Sequence, residues 1–269
     1  MGNVQNKLNL RVIQDKTEAQ YLLNIAEKQD FYLEECHGNN ANMLARRNLA
    51  YYPNSILPAD MKDINSFIET VKIPTKLYEL DSVSIIQLMP TADGGMPHTR
   101  PDIICYPVIS FSDTTLIHEL WHVHQRRFQL FWSNIFKQIG WTLWQHDLPE
   151  RLEKYRRYNP DTIDSPLWIF KNTWVPVPIF MDITHPSISE CEVWFYNING
   201  YHVRTIPKEL SSYFEGLHNI ALEHPREITA YMLAEPKKFR TSPAFKDLIK
   251  AIGYTAINHT IDNTGDHLV

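Results

Sequence analysis

The apolar positions of the chain change period along its length. Between residues 15 and 28, Ala19, Leu22, Leu23 and Ala26 recur at helical spacing, and Asp15 with Glu18 predicts a capping box at the start. Residues 30–56 keep no sustained period and predict irregular or short helical structure, with an Asn-rich patch at 39–42. Pro58 opens a second helix carrying Met61, Ile64, Phe67, Ile68 and Val71. The pattern then shortens, and 76–80, 83–89 and 102–110 read as strands separated by turn residues, Asp93-Gly94-Gly95 among them.

A long helical run follows. Thr114 to Ile139 holds no Pro or Gly, Ser112 and Asp113 can cap its start, and Gly140 offers a stop. Leu116, Ile117, Leu120, Val123, Phe128, Phe131 and Ile135 give it an apolar surface. Further on, 149–157 reads as a charged helix. The stretch 174–181 carries two prolines, which argue against a central strand. A hairpin is predicted over 191–206 around Asn199-Gly200, then helices at 207–217, 225–235 and 242–252. This order predicts an α+β fold in one domain spanning 1–269, made of two lobes. Lobe 1, 1–140, holds a small antiparallel or mixed sheet and the long helix; lobe 2, 141–269, is mostly helical.

Composition narrows the function classes. With 43% hydrophobic and 21% charged residues the chain is of the globular kind. A net charge of −5 gives no basic face for nucleic acid. No apolar run reaches the ~18 residues that a membrane span needs. The start, MGNVQNKLNLRVIQDK, has no hydrophobic signal core, and Cys36, Cys105 and Cys191 are widely spaced. These features predict a cytoplasmic protein with free thiols. Gly2 raises N-myristoylation as a membrane tether, but Asn6 stands where Ser or Thr is preferred, so an ordinary polar N-terminus is the favoured reading.

The chemistry sits on the long helix. His118-Glu119-Leu120-Trp121-His122 spells His-Glu-x-x-His, which puts two imidazoles one turn apart on one face with a carboxylate beside them. Two such His can share a zinc ion, and Glu119 can act as general base on a water. This composition yields about 0.03 chance copies of the pattern. The bland alternative, core histidines with ordinary partners, has to bury two His and a Glu at some cost. Zinc needs a third ligand, and the chain has no His-x-x-Gly-x-x-His continuation: Gln125 and Phe128 stand at the diagnostic positions. The best carboxylate is Glu227, in the first turn of a helix opened by Pro225, with Ala230 and Ala234 on its face. Glu190, beside Cys191, is the alternative. Tyr231 is a candidate donor to a developing oxyanion, as are His98, Arg100, Tyr201 and His202.

The five-residue motif with a downstream helical Glu resembles the gluzincins, zinc metallopeptidases with two His ligands and one Glu. The stretch His224-Pro225-Arg226-Glu227-Ile228-Thr229-Ala230 is similar to the Pro-x-Glu-x-x-Ala helix of several branches. The resemblance covers two helices, and the gap between them is longer than in the best-known members. It implies a zincin-like two-lobed catalytic domain, Zn2+ held by His118, His122 and Glu227, and Glu119 as the base. It further implies a peptide or protein substrate lying along an edge strand near 102–110 or the turn before it. Trp141, Trp144, Trp168, Trp174 and Trp194 could line pockets, with core as the preferred reading. A zincin-fold binding or regulatory protein with little turnover is the competing expectation.

Overall fold

Residues 8–107 and 112–253 are described by a computed structural model of the chain. Gly2, and the part of the expected strand beyond residue 107, lie outside them. The first strand, β1 (Asn9–Ile13), leads into α1 (Lys16–Asp30), α2 (Tyr32–Gly38), α3 (Asn40–Arg46) and α4 (Pro58–Thr70). A 3-10 segment (Thr75–Leu80) precedes β2 (Ser82–Gln87), β3 (His98–Arg100) and β4 (Ile103–Tyr106). Then come α5 (Asp113–Arg127), α6 (Gln129–Gln138), β5 (Trp141–Leu143), α7 (Glu150–Tyr155), β6 (Trp168–Phe170), β7 (Trp174–Phe180), β8 (Cys191–Asn197) and β9 (His202–Val203). The last described elements are α8 (Lys208–Tyr213), α9 (Pro225–Ala234), α10 (Pro236–Phe239) and α11 (Pro243–Ile252).

Two sheets organise the chain. The first is mixed, in the order β1-β2-β4-β3, with β1, β2 and β4 parallel and β3 antiparallel to β4. The second is an antiparallel meander, β5 through β9 in sequence order. The α+β expectation is met, but the second half is not mostly helical, since it carries a whole five-stranded sheet. The expected edge strand is also interior: β4 lies between β2 and β3, so the free edge beside α5 belongs to β3.

Other departures have local physical causes. Residues 76–80 form a 3-10 turn after Pro74, which puts Leu77 and Leu80 together in the core, both fully buried. The long helix breaks at Phe128 (φ −114°, ψ 49°) without Pro or Gly. The break turns α6 back so that the Trp132 indole N–H reaches His124 Nδ1 at 2.8 Å, a tertiary contact that periodicity does not encode. The prolines of β7 do not keep it out of the sheet interior. Pro178 accepts from the Arg157 N–H at 2.8 Å, so the backbone groups of 178, and by alternation of Pro176, point away from β8. Val175, Val177 and Ile179 are left to serve the β8 ladder, and β6 meets β7 only at Trp174, so no donor is missed. Half of the capping box forms: Asp15 accepts from the Glu18 N–H, while the Glu18 carboxylate pairs with Arg11 at 2.7 Å.

The largest apolar cluster joins both halves, with Leu120, Trp121, Trp168, Phe195 and Ile228 among its buried members. Trp141 and Trp174 belong to it too, while Trp144 and Trp194 pack on a smaller cluster under β7. Among the described residues no helix is long and apolar enough to cross a membrane.

Candidate metal centre

Two helices build the site. Ser112 caps α5 by accepting from the Thr115 N–H at 3.0 Å. Leu116, Leu120, Trp121 and Val123 anchor α5 in the main core, each contributing about 1.5–3 kcal/mol. Its other face, with His118, His122 and Gln125, turns towards α9. Helix α9 starts with His224 accepting from the Arg226 N–H at 3.0 Å and Pro225 in the first turn, which sets Glu227 opposite the two histidines. Fully buried Ala230 leaves room for the close approach. Gln125 ties the helices together, donating through Nε2 to the Arg226 carbonyl and to Thr229 Oγ1, each at 2.9 Å.

His118 Nε2 and His122 Nε2 stand 3.0 Å apart, and Glu227 Oε2 lies 3.4 and 3.5 Å from them. Ligands bonded to tetrahedral zinc at about 2.0–2.1 Å are separated by about 3.3–3.4 Å, so these three atoms fit one face of such a polyhedron. They are the only group of this kind among the described residues. The outer partners match the same role. Because the Gln125 amide nitrogen faces a carbonyl, its Oε1 faces His122 Nδ1 at 2.9 Å and must accept from it. That fixes the His122 tautomer with its lone pair on Nε2, towards the group. Asn159 accepts from the Asp161 N–H through Oδ1 and donates through Nδ2 to Glu227 Oε1 at 2.8 Å, leaving Oε2 for the histidines.

The electrostatics express this crowding. Burial would raise Glu227, but His122 and His118 outweigh it and hold the carboxyl well below its usual range. Burial would lower His122, yet Glu227 and Asp161 outweigh it and raise it. Glu119, nearly fully buried, is pushed well up by burial, and then by Asp161 and Glu227. Among the described residues its Oε2 has no hydrogen-bond partner.

His118, Glu119, Glu227 and Tyr231 line a cavity of ≈ 450 Å3. The Tyr231 ring packs edge-on against His118, with centroids 4.4 Å apart, and burial keeps its phenol protonated. Cys191 also lines the cavity, but burial pushes its thiol up to about 11, so it offers no thiolate.

Further cavity residues are Arg157, Asn159 and Glu223, which carry no motif in the sequence, and Asp161, which stands there only as a loop carboxylate between the two helices. They lie far from α5 in the chain. Arg126 and Arg226 bring the 159–164 segment in: Arg126 donates to the Pro160 carbonyl and pairs with Asp164, and Arg226 donates to the Asp161 carbonyl and to Asp164. Arg157 pairs with Glu223 at 2.6 Å, and Glu223 also accepts from Asn159.

Several expected residues fall elsewhere. Glu190 is exposed and outside the His118–His122–Glu227 group. Arg100 is fully buried but bound to Asp30 and Glu27, a structural pairing. His98 does line the cavity, but both ring nitrogens are engaged, Nδ1 by the Met96 carbonyl and Nε2 by the Tyr51 hydroxyl. Tyr201 and His202 do not line it, His202 being stacked on Trp194, and none of the five tryptophans lines it either.

No protein-family model, curated protein or solved structure matches the chain.

Proposed function

We propose that this protein is a zinc-dependent metallopeptidase. The observation that carries the reading is the triangle of His118 Nε2, His122 Nε2 and Glu227 Oε2, oriented by Gln125 and Asn159, on a cavity where Glu119 Oε2 has no hydrogen-bond partner among the described residues. A bound zinc supplies a Lewis acid and lowers the pKa of a water to about 7. Glu119 accepts a proton from the attacking water, whose oxygen bonds to the scissile carbonyl carbon. The C–N bond then breaks as Glu119 returns the proton to the leaving amine, giving one acid and one amine per water consumed. Tyr231, protonated and beside His118, donates to the developing oxyanion.

The test is Glu119→Gln in zinc-replete protein. The variant should keep its zinc and lose peptide hydrolysis by about 10²–10⁴-fold. Unchanged turnover with zinc retained would rule out Glu119 as the base.

A further inference from the structure

The cavity wall built by the 159–161 segment bears on what enters the site. In β3, His98, Thr99 and Arg100 are register partners of Cys105, Ile104 and Ile103, and the Thr99 N–H points away from β4, towards Asp161. Asp161 Oδ1 takes that N–H and the Thr99 hydroxyl, both at 2.6 Å. Thr99 is fully buried. The one free donor of the edge is therefore used, and a polypeptide cannot add to β3 as a further strand. The remaining space, ≈ 450 Å3, is that of a small-ligand cavity, in the range of about 300–1,000 Å3. A second loop from the β7–β8 connection bounds it, with Ile188 set against Gly94 so closely that a Cβ there would stand 3.2 Å from the Ile188 side chain.

The charges of this space do not balance. Glu223 is paired with Arg157, and Asp93 with Arg46 at 3.2 Å. Glu227 faces the two imidazoles. Among the described residues neither Glu119 nor Asp161 forms a side-chain ion pair; Arg226 reaches Asp161 at its carbonyl and pairs with Asp164 instead. Asp161 is nearly fully buried, only its Oδ1 is used by Thr99, and no hydrogen bond reaches its Oδ2 among the described residues. It lines the same cavity as His118, Glu119 and Glu227, which sets it beside the reacting groups. An anion so placed, with its twin oxygen already satisfied, recognises a cation.

We propose that the cavity takes the end of a short peptide and that Asp161 Oδ2 binds an ammonium group of that substrate, the free α-amine being the source. This inference rests on the metallopeptidase reading and narrows it to terminal or short-peptide substrates. Capping of β3 alone does not require the charge, because an Asn side chain at 161 can accept from Thr99 in the same way.

The experiment measures peptide binding calorimetrically on zinc-loaded Glu119→Gln protein, with zinc content determined for each sample. The probes are tri-alanine, N-acetyl-tri-alanine and N-acetyl-lysyl-alanyl-alanine. Tri-alanine should bind about 10- to 100-fold more tightly than its acetylated form. Adding Asp161→Asn should abolish that preference while leaving zinc content unchanged. If the lysyl peptide binds in an Asp161-dependent way and tri-alanine does not, the α-amine assignment is overturned in favour of a side-chain ammonium. Equal binding of all three to protein with Asp161 intact overturns the inference outright, whether or not the Asn variant folds. Protein that holds no zinc sinks the metallopeptidase reading instead, so the two failures are separable.

Discussion

Replacing Gln125 with Met keeps its length and removes its hydrogen bonds. Three bonds are lost: from His122 Nδ1 to Oε1, and from Nε2 to the Arg226 carbonyl and Thr229 Oγ1. Buried bonds contribute about 1 kcal/mol each, so the apoprotein should lose about 3 kcal/mol. For a chain of this size that lowers Tm by about 6–12 °C. His122 also loses the partner that holds its tautomer, which should weaken zinc about 10- to 100-fold. At a free zinc concentration 100 times the wild-type Kd, bound metal stabilises the fold by about 2.7 kcal/mol; a 100-fold loss of affinity leaves about 0.4 kcal/mol of that. The zinc-loaded variant should therefore lose about 5 kcal/mol against the zinc-loaded parent. Competition with a chelating dye gives the affinity, and denaturant unfolding with and without zinc gives the two stabilities. Zinc affinity within about twofold of the parent, in a folded variant, would refute the claim that Gln125 orients His122.

Three other outcomes are expected. Glu227→Ala should cost more zinc affinity than the ~10–100-fold of an outer-shell change, and Glu190→Ala should cost none, as zinc titration of the two variants will show. Because His122 is raised in the metal-free site, zinc must displace its proton below that pKa; apparent affinity should fall about tenfold per unit as pH drops, and a flat profile would contradict the assignment. His124, held down to about 4 mainly by burial, stays neutral in the fold while an unfolded His takes a proton near 6.5, so stability should be full above about pH 6.5 and fall by ~3 kcal/mol towards pH 4. An NMR titration of its ring should show no protonation above about pH 5; protonation nearer 6.5 would contradict the burial argument.

Legibility in the sequence followed locality. The motif helix, its Ser112 cap and the Pro225 start of the Glu227 helix are set by neighbours within one turn, and the sequence showed them. The approach of Glu227 to the histidines spans more than a hundred residues, and the small Ala230 and Ala234 and the likeness of its helix to Pro-x-Glu-x-x-Ala were the signs of it. Asn159 and Asp161 left no local signature, because two arginines on different helices hold their segment in place. The prolines of β7 misled because the rule against them assumes neighbours on both edges, and here the other edge meets the Arg157 N–H, which donates to the Pro178 carbonyl. In β1, Leu10 and Val12 alternate with polar residues, but a five-residue strand needs its parallel partner β2 to be recognised.

The central claim is that His118, His122 and Glu227 hold a zinc ion. Anomalous diffraction measured on both sides of the zinc absorption edge, on crystals grown from zinc-replete protein, tests it most directly. A single edge-dependent peak is expected, bonded to His118 Nε2, His122 Nε2 and Glu227 Oε2. The absence of a peak there, or one bonded to a different set of side chains, would contradict it.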